Sequence, residues 1–255
     1  MDCDYPILEY DSAPRALIEP GDHLQPLPDM PARVVLCFFQ EVIAKVCGDA
    51  LVVGRLKSEI GHAPIYALTV DGGQRVAVAH PGVGAPLAGG FLDELIALGG
   101  QKFIACGGAG VLRSEIAAGQ VIVPERAVRD EGTSYHYLPP AREVAAAPEA
   151  VAAIRQTLER RGVPHLVGKT WTTDGVYRET PGKIARRRAE GCLTVEMEAA
   201  AFFAVAQFRG VPFGQILYGG DDVGGAVWDQ RDWIHGHVST RETLFWLAVK
   251  AVARL

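Results

Sequence analysis

Apolar and polar positions alternate between two textures along the chain. Short apolar runs at 34–39 (VVLCFF), 51–55 (LVVGR), 65–70 (IYALTV), 75–80 (RVAVAH), 103–106 (FIAC), 121–124 (VIVP) and 213–218 (FGQILY) have the length and composition of buried strands. Most are apolar on both faces, which suits a sheet covered by helices on both sides. The segments between them carry helix punctuation. Residues 86–98 open at Pro86 and stop at Gly99 and Gly100. Pro148 fits a first helical position, with Gly162 past the end and Pro164 behind it. A helix from Glu196 to Arg209 stops at Gly210, and Ser239 and Glu242 stand in capping-box spacing at the start of the last helix. Strand and helix alternate, so the fold class is α/β. Residues 125–148 (ERAVRDEGTSYHYLPPAREVAAAP) are the least regular, and a long aromatic and polar loop there reads as a pocket wall.

Composition narrows the function classes. With 255 residues, 49% hydrophobic and 22% charged, the chain buries a sizeable core. We expect residues 1–32 to be an N-terminal extension packed on one domain, 33–255. Lys and Arg number 25 against 30 Asp and Glu, and a net charge of -5 offers no broad basic field to a nucleic acid. A small-molecule partner is expected instead. The five cysteines, Cys3, Cys37, Cys47, Cys106 and Cys192, are scattered without a CxxC pair, which fits reduced thiols in a cytoplasm. The acidic start MDCDYPILEYDSAPR is no signal peptide, and no run reaches the roughly 18–20 apolar residues a membrane span needs. A cytoplasmic protein with no membrane partner follows as an expectation.

Three segments could carry chemistry. CGGAG, 106–110, directly follows the strand FIAC, and glycines at a strand end let backbone amides converge on an anion. A tight turn with close helix packing is the alternative. The spacing matches neither the P-loop nor GxGxxG, so a nucleotide cofactor is not supported. In TVEME, 194–198, carboxylates flank a methionine where a helix begins. The helix dipole accounts for one glutamate. A second carboxylate can accept two hydroxyl hydrogen bonds at once, the geometry of a ribose diol, over a soft methionine floor. GGDDVGG, 219–225, leaves two aspartates on an open loop at a strand's end, where open α/β sheets bind ligands. No His or Cys stands close by, so no metal is expected there. The HGH containing His235 and His237, beside Trp233, reads as polar surface, and RRR at 186–188 as a solvated helix face. No GxSxG or cysteine-nucleophile signature is present.

CGGAGVL, RDEGTSYHYLPP, VEMEAAAFFAVA and GGDDV, in this order, resemble the nucleoside phosphorylase superfamily from about Val34 to the C-terminus. The resemblance implies a three-layer αβα sandwich with a central mixed β-sheet, assembled as a homo-oligomer, dimer or hexamer. It implies a nucleoside phosphorylase that splits the N-glycosidic bond with phosphate as co-substrate and no other cofactor. Glu198 would accept the ribose hydroxyls, Met197 would pack against the sugar, and Glu196 would support that network. Asp221 would protonate the leaving base. Tyr177 and Arg178 would border the base. Gly107, Gly108 and Gly110 would hold phosphate, with Lys57 or Arg55 reaching in from a neighbouring subunit and Arg113 also in range.

The chain departs from the family at the phosphate site, where Ala105, Gly108, Phe39 and Ile43 replace its arginines, glycine and hydroxyl. RDEGTSYHY resembles the uridine enzymes and Asp221 the purine enzymes, so the base stays open. Two alternatives remain. One is hydrolysis, with Gln40 or Glu41 near the attacking water; the other is nucleoside binding without turnover.

Overall fold

The computed structural model describes residues 5–232 and 238–255, so Trp233, His235 and His237 lie outside the described residues. In chain order the regular elements are α1 (Pro20–His23), β1 (Arg33–Cys37), α2 (Gln40–Cys47), β2 (Leu51–Ser58), β3 (Gly61–Val70) and β4 (Gln74–Ala79). These are followed by α3 (Ala85–Ala97), β5 (Lys102–Val111), β6 (Val121–Asp130), α4 (Ser134–Tyr137), β7 (Glu143–Ala145) and α5 (Pro148–Arg160). The chain ends with β8 (His165–Thr173), α6 (Pro181–Ala189), β9 (Cys192–Glu196), α7 (Ala199–Arg209), β10 (Phe213–Asp222) and α8 (Val238–Val252).

Period-two alternation explains how the sheet is covered. Val35 and Cys37 of β1, Val76 and Val78 of β4 and Ile104 and Cys106 of β5 face one way, into a core shared with α2, α5 and α8. Their neighbours Val34, Leu36, Ala77, Ala79, Phe103 and Ala105 face the other way, onto α3 and α7. Phe202 of α7 stacks on Phe213 of β10 with ring centroids 4.7 Å apart. Fully burying one such side chain contributes about 1.5–3 kcal/mol. The result is the expected mixed α/β sandwich.

Strand β5 is the branch point of the sheet. Residues Lys102–Cys106 pair in parallel with β1, and the same strand pairs in parallel with β10 along its other edge, from Phe103 to Val111. At Gly110 and Val111 the first edge passes to β9, antiparallel. Because β10 pairs β6, β6 pairs β8 and β8 pairs β9, strands β5, β10, β6, β8 and β9 close on one another. Strands β1, β4, β3 and β2 form an open wing. Between Cys106 and Gly110 the sheet therefore forks, and such a divergence leaves a crevice beyond the carboxyl ends of the strands.

The expected strands form, and among the described residues three more appear. β8 was hidden because Thr170 and Thr172 alternate with the buried Trp171, giving a polar inner face rather than an apolar run. Two local expectations need correction. CGGAG is not a turn but the continuation of β5, because pairing to Leu217, Tyr218 and Gly219 of β10 extends the ladder through it. Residues 125–148 are not one loop: β6 runs to Asp130, and α4 and β7 follow, the latter paired to β6 through Val128↔Glu143. α7 begins at Ala199, three residues later than the expected start at Glu196, because Glu196 and Glu198 are held outside the helix.

The extension packs on α3 through Leu24, Leu27 and Met30, and Glu19 pairs with Arg209 at 2.9 Å. The RRR segment is only partly a solvated face. Arg187 is buried, with ion pairs to Asp130 at 3.2 Å and Glu190 at 3.0 Å. No helix among the described residues is long and apolar enough to cross a membrane.

Candidate active site

The two glutamates of VEME divide their work. Glu196 ends β9 and is 7% exposed. One of its carboxylate oxygens accepts the amides of Glu198 at 2.8 Å and Ala199 at 2.6 Å; the other accepts the Thr172 hydroxyl at 2.6 Å. Thr172 in turn accepts the amide of Ala200 at 2.9 Å. Glu196 and Thr172 thus satisfy the free amides of the first turn of α7, which is why the helix starts only at Ala199.

Glu198 is 6% exposed, and one of its oxygens accepts the Gly84 amide at 2.6 Å. Gly84 precedes α3 with φ +89°, a left-handed conformation that favours glycine, and this turn aims its N–H at the carboxylate. Among the described residues Gly84 is the one donor at full hydrogen-bond geometry on the Glu198 carboxyl, and the nearby Met197 amide also favours its charged form. Burial pushes both carboxyls above the usual range, and the charge of Glu196 adds to the effect on Glu198, which rises to about 8. Met197 lies half-buried between them.

The aspartates after β10 also separate. Asp222 is buried and structural: it pairs with Arg231 at 2.8 Å, accepts the Gly224 amide at 2.7 Å and bridges by backbone to Asp229. Asp221 is half-exposed. One of its oxygens accepts the indole N–H of Trp228 at 2.7 Å. The other lies 3.4 Å from where a side chain on Gly110 would begin. Gly110 is opposite Val195, one residue before Glu196, so Asp221 and the VEME segment flank the same end of the fork. Here glycine's small size matters, since a Cβ would also meet Val195 at 3.1 Å.

The expected phosphate residues lie differently. Gly107 faces the ring of Phe38, one of whose carbons lies 3.0 Å from the position of a Cβ on that glycine. Phe38 also meets His80 edge to face at 6.0 Å. His80 accepts the Gly82 amide on Nδ1 at 3.0 Å, and burial lowers its pKa. A cavity of about 460 Å³ opens beside the Gly82–Gly84 turn, lined by Gln40, Ile43, Tyr66, His80 and Val83 among others. No lysine or arginine among the described residues lines it. Gly108 is half-buried in β5. Lys57 and Arg55 lie exposed on β2, Lys57 opposite His62 of β3. Arg113 stands 4.0 Å from Glu115. Glu41 does not line the cavity but pairs with Arg241 at 2.8 Å.

At the expected base site Tyr177 is 95% exposed and Arg178 is exposed too, so this chain does not bring either against the other site residues. Sequence reasoning missed Glu179, whose carboxyl is pushed up to about 7 by burial and then by the charge of Asp221. It also missed Glu131, Thr172 and Arg241. Glu131 accepts the Ser134 amide at 2.9 Å, and Arg241 donates to the Tyr218 hydroxyl at 3.1 Å. No sequence signal marks Thr172; Glu131 stands within RDEGTSYHYLPP, and Glu179 directly follows Tyr177 and Arg178. Among the described residues no three His, Cys, Asp or Glu side chains are grouped as a metal site.

A family model described as "Phosphorylase superfamily" matches residues 32–248. The chain is 29% identical over 209 residues to the guanosine phosphorylase of Halorubrum lacusprofundi, covering 80% of each chain. It is 33% identical over 155 residues to the uridine phosphorylase of Treponema pallidum, 56% of this chain and 59% of the relative. The solved uridine phosphorylase of Vibrio fischeri superposes with a TM-score of 0.73 at 22% identity, covering 91% of this chain and 98% of that one. The AMP nucleosidase of Bacteroides thetaiotaomicron gives 0.71 at 23%, covering 89% of both.

Proposed function

This chain belongs to the phosphorylase superfamily, and from that premise we propose that it splits the N-glycosidic bond of a ribonucleoside with phosphate, releasing ribose 1-phosphate and the free base. The observation that carries the reading is the Glu198 carboxyl, buried and anchored through one oxygen to Gly84. A vicinal diol offers two donors, and a carboxylate held in this way can accept both without rotating. Attack of a phosphate oxygen on the anomeric carbon breaks the carbon–nitrogen bond, and Asp221 hands a proton to the departing base. Glu196 keeps the α7 turn, and hence Glu198, in place. Lys57 and Arg55, exposed on β2, are available to a second copy of the chain as phosphate cations.

One observation favours a second reading, hydrolysis. Phe38 covers Gly107, Ile43 stands where a phosphate arginine was expected, and the adjoining cavity has no cation among its described lining residues. Phosphate needs charge-assisted donors, whereas water does not. Incubating the protein with a nucleoside panel with and without phosphate separates the readings. Base release that depends on phosphate and yields ribose 1-phosphate supports phosphorolysis. Equal release yielding ribose replaces it with hydrolysis. Nucleoside binding without base release at high protein concentration overturns both.

A further inference from the structure

We propose that Trp228 is a positioning residue for the general acid, fixing through its indole N–H which oxygen of Asp221 faces the base, and that its open face walls the base subsite. The proposal rests on the N-glycosidic cleavage read above. An indole nitrogen only donates, so the oxygen of Asp221 that it holds at 2.7 Å must accept. The carbonyl oxygen of a carboxylic acid is its stronger acceptor, so this contact favours a proton on the other oxygen, the one beside Gly110 at the fork of the sheet. Trp228 is the only hydrogen-bond partner of the Asp221 side chain among the described residues.

The loop that carries Trp228 is held independently of it. Asp222 and Asp229 exchange backbone hydrogen bonds at 2.8 and 3.0 Å, the side chain of Arg231 donates to the carbonyls of Ile116 and Ser114, and Arg188 donates to that of Gly224 at 3.0 Å. Packing does not account for the indole, which is 57% exposed. A large aromatic held on an anchored loop, with its polar edge on the proposed acid and its face open, has the features of a stacking surface for a planar base. Glu179 lies near enough to feel the charge of Asp221.

Two variants separate the roles. Trp228→Phe keeps an aromatic face and removes the donor; Trp228→Ala removes both. With a nucleoside that the wild type cleaves, Trp228→Phe should lower kcat about tenfold, roughly the worth of one hydrogen bond, and leave KM nearly unchanged. Trp228→Ala should lower kcat as much and also raise KM. In an Asp221→Asn background, Trp228→Phe should cost nothing further, a coupling that a merely structural tryptophan would not show. Wild-type kcat in Trp228→Phe, or full additivity with Asp221→Asn, overturns the positioning role; unchanged KM in Trp228→Ala overturns the stacking role. Failure of the wild type to release base from any nucleoside is a different result, and it removes the cleavage reading together with this inference.

Discussion

Glu198 accepts the amide of Gly84 at 2.6 Å across 114 positions of sequence. The contact joins the start of α7 to the start of α3, so one carboxyl lies against the amide-bearing ends of two helices. Helix N-termini favour negative charge, whereas burial and the neighbouring Glu196 oppose it. Because these effects oppose one another, the charge of Glu198 depends on what stands beside it.

Removing that carboxyl should separate sugar from base. Two hydrogen bonds to a charged acceptor are worth about 3–6 kcal/mol together, so Glu198→Ala should lower kcat/KM for a riboside by roughly 10²–10⁴-fold. Affinity for the free base, measured by calorimetry, should change little. Equal losses for riboside and base contradict the diol role.

The raised pKa of Glu198 has a consequence for stability. Its ordinary value is 4.5 and its folded value about 8, so the folded state favours the protonated form. The associated stability is present in full below about pH 4.5 and is lost as the pH rises toward 8. Glu198→Gln cannot ionise and escapes that loss. The melting temperature of the variant minus that of the wild type should therefore grow from pH 5 to pH 8 and then level off. A constant difference across that range shows that Glu198 is not so perturbed.

Glu196 should behave in the opposite way to its neighbour in denaturant. Glu196→Ala leaves two amides and one hydroxyl without their acceptor, and each buried orphan costs about 1–3 kcal/mol. Urea unfolding should show a loss of at least about 3 kcal/mol, with Thr172→Val costing less. Glu198→Ala, which orphans one amide, should be far milder.

Asp221→Asn removes the proposed proton without changing shape. Purine nucleosides, whose ring nitrogen accepts the proton, should slow by about 10²–10⁴-fold, the usual range for general acid catalysis, and uridine less. Gly110→Ala should reproduce part of the loss, because the new methyl group meets Asp221 and Val195. Steady-state rates on both nucleosides check this, and an unchanged Asp221→Asn enzyme removes that residue from the chemistry.

Much of the layered fold was legible locally. Apolar runs found most strands, Pro148 and Gly210 marked helix ends, and the order of four motifs pointed to the region of Glu196, Glu198 and Asp221. CGGAG was misread because glycine permits a turn without requiring one. β8 was missed because its threonines face a buried carboxylate, which looks polar in sequence and is interior in space.

The amino-acid sequence by itself determined which stretches could be strand or helix and which residue types were available for chemistry, since propensity and capping act over a few neighbouring positions. Only the tertiary structure decided what each carboxylate does. Thr172 reaches Glu196 from 24 positions away, Gly84 reaches Glu198 from 114, and Trp228 rather than a glycine turn fixes Asp221. The charge and freedom of a buried acid depend on the donors and charges that folding brings to it, and here those come from strands and turns remote in the chain.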